Sequence, residues 1–155
     1  MDALVLTVLL TSVPLILAAT GELIAEKSGV LNLGVEGMML MGAVAAFAVT
    51  SVSGNPYFGI IAAAFSGGIT AGVFAIFALG LATNQVATGL ALTIFGAGLS
   101  GLVGAPYVGG TIEGLNVLAI PFLSDLPVLG GLLFKLDPLA YFSISVSYTH
   151  LRAHE

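Results

Sequence analysis

Between Glu36 and Glu113 the chain contains no Asp, Glu, Lys or Arg. A soluble fold needs charge to cover its surface, so an uninterrupted neutral stretch of this length belongs in lipid. Composition agrees: of 155 residues, 58% are hydrophobic and 7% charged, with a mean hydropathy of +1.14. Soluble domains run near about 45–50% apolar and about 25% charged. The apolar runs are continuous, whereas the spans of a β-barrel are alternating segments of about 10 residues. The expected fold is therefore all-α, a polytopic transmembrane helix bundle with about four to five spans.

Glycine, at 21 residues, lets helix backbones approach closely, which suits a tightly packed bundle. No Cys is present, which excludes disulfides and thiolate metal sites. Lys and Arg together number three, too few for the basic face that nucleic-acid binding requires. MDALVLTVLL lacks the positive region of a secretory signal and reads as a retained first span.

Along the chain the first span is expected over residues 3–20, kinked at Pro14. A short polar connector, 21–29, follows. A second apolar run covers 30–53, interrupted by Asn32 and Glu36, and GNPY (Gly54–Tyr57) marks a turn. The third span, 57–83, exceeds the roughly 20 residues that cross the hydrocarbon core, so it should tilt. Asn84 and Gln85 precede the fourth, 86–105. Gly68 and Gly72 in the third span form one small-residue stripe, and Gly96, Ser100 and Gly104 in the fourth form another. Both are read as intramolecular packing in preference to a subunit interface. Residues 106–127 form an extramembrane loop with a short apolar helix at the surface. A further apolar piece covers 128–134, and Pro138 opens a last helix.

Both histidines and the only arginine fall in the last six residues. The run VSYTHLRAHE resembles read-through of sequencing-adapter DNA, so residues 146–155 are expected to be a non-native tail and residues 1–145 the N-terminal part of a transmembrane domain. His150 and His154 are accordingly given no metal or catalytic role. Lys27, the one basic residue near the first three spans, puts the connector on the cytoplasmic side and the N-terminus outside.

Few residues could carry chemistry. Asn32 and Glu36 are spaced i, i+4, one face if both are helical. A carboxylate at the bilayer centre costs about 2.5–3.5 kcal/mol. Glu36 therefore either lines a substrate path or braces helices by accepting hydrogen bonds at a helix start. Asn84 and Gln85 could hydrogen-bond hydroxyls or a nucleobase, or simply open a helix. Thr83, Thr88 and Thr93 add hydroxyls nearby. MMLM (Met38–Met41) is read as packing. No nucleophile elbow, phosphate-binding loop, dinucleotide fingerprint or metal motif is present, so the chain is not expected to be an enzyme.

Two segments carry a resemblance. PLILAATGELIAEKSGVLNLGVEGMMLMGA (Pro14–Ala43) resembles the first signature block of the inner-membrane permeases of ABC importers that move nucleosides and simple sugars. Those permeases are related to the ribose and branched-chain amino-acid systems. TNQVATGLALTIFGAGLSGLVG (Thr83–Gly104) is similar to the next block. The resemblance covers roughly residues 5–145 and implies a multi-pass protein of a bacterial or archaeal cytoplasmic membrane. It also implies a longer intact permease, truncated here at its C-terminus, whose ATPase-gripping loop lies beyond this chain; the truncated chain is not expected to transport. Implied partners are a second, homologous permease, an ATP-binding subunit and an extracytoplasmic substrate-binding protein. ATP and Mg would sit on the ATP-binding partner, with no cofactor on this chain. Asn32, Glu36, Asn84 and Gln85 fall inside the two blocks as substrate-path candidates. The competing expectations are an ion-coupled secondary transporter or channel with Glu36 as coupling site, and a purely structural membrane subunit.

Overall fold

Helix ends in this chain are set by a few polar and glycine residues, because the interiors are almost uniformly apolar. The structure, a computed structural model, describes residues 2–119 and 134–152. Its helices are α1 (Asp2–Lys27), α2 (Val35–Ser53), α3 (Pro56–Ala75), α4 (Gln85–Gly104) and α5 (Pro138–Arg152). A π-helical turn, Ile76–Gly80, prolongs α3, and a 3-10 turn, Ala105–Tyr107, follows α4. Among the described residues, four helices can cross a membrane by length and composition: α1, α2, α3 with its π turn, and α4 with its 3-10 turn. The all-α, multi-span expectation holds. The sole sheet among the described residues is a two-residue antiparallel pairing of β1 (Leu118–Ala119) with β2 (Lys135–Leu136), Leu118 opposite Leu136.

Two compact units divide the chain. In the unit Ile24–Gly114, α2 packs against both α3 and α4. The inward residues are small or hydroxylic: Gly37, Gly42 and Thr50 on α2, Gly59 and Thr70 on α3, Gly89 and Gly96 on α4 are buried. Large apolar side chains point outward instead, with Phe65 72%, Ile94 75% and Leu102 74% exposed. That distribution suits lipid, where burying bulk earns no hydrophobic gain and close backbone packing supplies the attraction. A small cluster of Phe74, Ala78 and Leu92 forms the core, with Val30 and Met38 against it. The packing role expected of the methionine run holds at Met38.

A Cβ built on Gly96 would lie 2.6 Å from Gly37 Cα, and one on Gly37 would lie 2.5 Å from Leu92 O. No side chain fits at this crossing of α2 and α4. The α4 stripe therefore packs within the chain at Gly96, and at Gly104, where a Cβ would meet Val44 at 3.3 Å. The α3 pair does not behave as expected. Gly68 and Gly72 face nothing within 4 Å among the described residues, because α2 meets α3 along a different face, through Gly59 and through Ser66, whose hydroxyl donates to Met41 O at 3.1 Å.

The GNPY turn is as expected. Gly54 adopts the left-handed conformation (φ 65°) that closes α2, Asn55 Oδ1 accepts the Tyr57 N–H at 2.9 Å, and Pro56 opens α3. Tyr107, in the 3-10 turn, meets Phe47 of α2 edge to face at 6.1 Å.

The other unit comprises Met1–Leu23 and Leu115–Glu155. Its helix α5 starts at Pro138, as expected, with Asp137 Oδ1 accepting the Ala140 N–H at 2.8 Å. The Tyr141 hydroxyl donates to Leu118 O and accepts from Leu136 N, both at 3.3 Å, fastening α5 to the strand pair. Thr20 Oγ1 of α1 and Ser147 Oγ of α5 are hydrogen-bonded at 2.9 Å. α5 runs unbroken through Val146 to Arg152. His150 Nδ1 lies 2.9 Å from Val146 O in its own helix, and no metal-binding grouping exists among the described residues. Of the loop expected at 106–127, residues 106–119 contain the end of the 3-10 turn, irregular chain and β1 but no α-helix; the rest of it, and all but the last residue of the apolar piece 128–134, lie outside the described residues.

Candidate functional site

The first helix ends later than its hydropathy suggests. Glu22, Glu26 and Lys27 are good helix formers, and α1 carries them to Lys27. It closes with the Gly29 N–H bonded to Glu26 O at 2.9 Å, the Val30 N–H bonded to Ala25 O at 3.1 Å, and Gly29 at φ 84°. This is a Schellman stop, which needs glycine at that position. The connector is thus residues 28–34, not 21–29. Pro14 lies inside a helix that continues past it.

The later stop relocates Asn32. Because α2 begins only at Val35, Asn32 belongs to the connector, and Asn32 and Glu36 do not share a helical face. Asn32 Oδ1 accepts the Gly34 N–H at 3.0 Å, an Asx turn that feeds the chain into α2, and Asn32 Nδ2 reaches Met38 Sδ at 3.6 Å. Glu36 is in the first turn of α2 and exposed, where its charge complements the positive end of the helix dipole.

The other two candidates open α4. Asn84 is its N-cap, with Oδ1 accepting the Ala87 N–H at 3.0 Å. Gln85 Oε1 accepts the Leu31 N–H at 2.7 Å, reaching back to the connector. Thr93 Oγ1, two turns further on, donates to Leu33 O at 2.8 Å. Between these bonds Gly89 leaves so little room that a Cβ would sit 2.8 Å from Leu33 N. The structure therefore brings Asn32 and Gln85 onto one feature, the connector docked on α4. Asn84 stands at the same helix start, and Glu36 points to the exterior of this part of the chain. Thr93, Gly34 and Gly89 complete the dock; their hydroxyl and glycines gave no local sign of it, since their partners lie some sixty positions away.

A separate cleft of about 530 Å³ opens where α3 gives way to α4. Phe74, Phe77 and Phe95 form ring walls, Val73, Leu92 and two alanines fill between them, and Thr83 and Thr88 supply the polar edge. None of the four candidate residues lines it. Between its lining residues Phe77 and Thr83 the backbone is unusual: the π turn closes with the Leu81 N–H on Ile76 O at 2.9 Å, and Ala82 holds φ 49°. Thr83 then turns back, its N–H and Oγ1 both donating to Phe77 O at 3.1 and 2.8 Å.

A family model described as the branched-chain amino acid transport system permease component matches residues 4–126. Among curated proteins, the chain is 40% identical over 134 residues to one named as a glucose ABC transporter permease in Haloferax volcanii, covering 84% of this chain and 41% of that protein. It is 31% identical over 143 residues to a guanosine ABC transporter permease of Bacillus subtilis, covering 82% and 43%. It is 28% identical over 152 residues to a nucleoside ABC transporter permease of Lactococcus lactis, covering 92% and 48%. The chain thus spans less than half the length of these relatives. No solved structure matches it.

Proposed function

The chain belongs to the permease-component family of the branched-chain amino acid transport system, and from that membership we propose that it forms part of the translocation path of an ATP-driven importer in the cytoplasmic membrane. The carrying observation is the family match over residues 4–126, which takes in all four helices able to span the bilayer. Relatives named for glucose, guanosine and nucleosides support a nucleoside or a simple sugar as the solute. The partners proposed are a second permease, an ATP-binding subunit that carries ATP and Mg, and an extracytoplasmic substrate-binding protein. Hydrolysis belongs to the ATP-binding partner.

Of the path candidates, Glu36 has the side chain most available to a substrate or a neighbouring helix. Asn32, Asn84 and Gln85 act from behind the path, fixing the connector and the start of α4 through backbone hydrogen bonds. Lys27 at the close of α1 favours a cytoplasmic connector and an external Gly54–Asn55 turn.

Co-expression of the full-length permease with its genomic neighbours tests the assignment. A stable complex with a subunit bearing a phosphate-binding loop, whose ATPase rate rises when loaded binding protein is added, is the expected result. A full-length protein that transports alone, with no such subunit, overturns it.

A further inference from the structure

We propose that the cleft between the end of α3 and the start of α4 binds a nucleobase, so that the importer inferred above carries nucleosides and not hexoses; the inference rests on that reading of the chain. Its volume of about 530 Å³ lies within the range of about 300–1,000 Å³ typical of small-molecule sites. The walls are aromatic: Phe74 is buried, while Phe77 and Phe95 are 46% and 56% exposed, leaving ring surface open for a flat ligand to stack on.

Among the lining side chains only Thr83 and Thr88 carry polar atoms. Thr83 Oγ1 lies 2.8 Å from Phe77 O, Thr88 Oγ1 lies 2.9 Å from Asn84 O, and the two hydroxyls lie 2.8 Å from each other. Three short oxygen–oxygen contacts share only two hydroxyl protons. The pair therefore presents lone pairs and favours a ligand that brings its own N–H or O–H donor. A base offers two apolar faces and donors confined to one edge, which matches ring walls with a single acceptor edge. A hexose carries hydroxyls around its whole rim, and most of them would lose water here without finding a partner. An acyl chain would fill the walls but leave the hydroxyl edge unused. The backbone that sets this edge, a π turn followed by a left-handed Ala82, is of the kind that proteins keep mainly at functional positions.

Photolabelling tests the proposal. The full-length permease, assembled with its partners in membranes, is irradiated with 8-azidoadenosine and mapped by mass spectrometry. Label is expected in peptides containing Phe77 or Phe95, displaced by excess adenosine and not by glucose. Thr88→Val should cut labelling about 3–10-fold, the usual cost of one lost hydrogen bond, and Thr88→Ser should restore it. If Thr88→Val fails to insert, Phe95→Leu provides the same readout through the ring wall. Label found elsewhere, or labelling unmoved by these changes, overturns the inference. So does a photoreactive phospholipid that marks the same peptides and is not displaced by adenosine. ATP-driven uptake measured in parallel separates the two claims. Uptake of glucose but not nucleosides sinks the base site alone, whereas no ATP-driven uptake of either sinks the permease assignment.

Discussion

Gln85 Oε1 accepts the backbone N–H of Leu31 at 2.7 Å, so the first residue of α4 holds the connector that leads into α2. Thr93 Oγ1 makes the second tie, to Leu33 O at 2.8 Å. Both bonds join segments that hydropathy alone treats as independent spans, and they make two polar side chains of α4 into joinery between helices.

Removing the first tie leaves the Leu31 N–H without its acceptor. Gln85→Ala should therefore lower stability by about 1 kcal/mol, read as a shift in thermal unfolding of the detergent-solubilised full-length protein. Gln85→Glu keeps an oxygen in place and should lose less. Equal losses in the two variants would show that packing, not the hydrogen bond, sets the effect.

The glycines divide sharply by surroundings. Gly37→Ala or Gly96→Ala forces a Cβ to within 2.5–2.6 Å of opposing backbone, and each should cost about 1–3 kcal/mol by overpacking. Gly68→Ala and Gly72→Ala meet open space and should be neutral or stabilising within about 1 kcal/mol, from helix propensity. Folded yield and melting temperature measure both pairs. Because Gly37 and Gly96 face each other, the double variant should cost less than the sum of the singles.

Asn55 accepts the Tyr57 N–H at 2.9 Å as the cap of α3. Asn55→Ala should cost about 1 kcal/mol and Asn55→Asp much less, with denaturant midpoints distinguishing them.

Much of the span layout could be read from the sequence, because it follows from hydropathy and strong punctuation. Gly54, Asn55 and Pro56 end one helix and start the next through conformations that their residue types favour, and Asp137–Pro138 does the same for α5. The stop of α1 is not legible from hydropathy because polarity and helix propensity disagree over Glu22–Lys27: the segment is polar enough for a connector, yet built from helix formers. Val30, Leu31 and Leu33 hid the true connector for the opposite reason, being apolar residues in a turn. The docking of Gln85 on Leu31 and the gathering of Phe74, Phe77 and Phe95 depend on contacts between distant segments, which no local pattern encodes. The π turn also leaves no periodic signature, since one widened turn shifts an already uniform apolar run.

No Cys occurs among these 155 residues, so a cysteine introduced here is the one thiol this segment offers to a labelling reagent. With Lys27 on the cytoplasmic side, Ser28→Cys should react with a membrane-impermeant maleimide only in inverted vesicles. Ser53→Cys, beside the turn after α2, should react in intact cells. Both positions are exposed. The reverse pattern would place the N-terminus inside.

Glu36 separates the importer from its ion-coupled rival. The most direct measurement is solute uptake by the full-length permease with its partners in proteoliposomes, driven either by internal ATP or by a proton or sodium gradient, for wild type and Glu36→Gln. For an ATP-driven importer, uptake is expected to require ATP, to persist when ionophores collapse the gradient, and to survive Glu36→Gln. Uptake driven by the gradient without ATP, and abolished by Glu36→Gln, would contradict it.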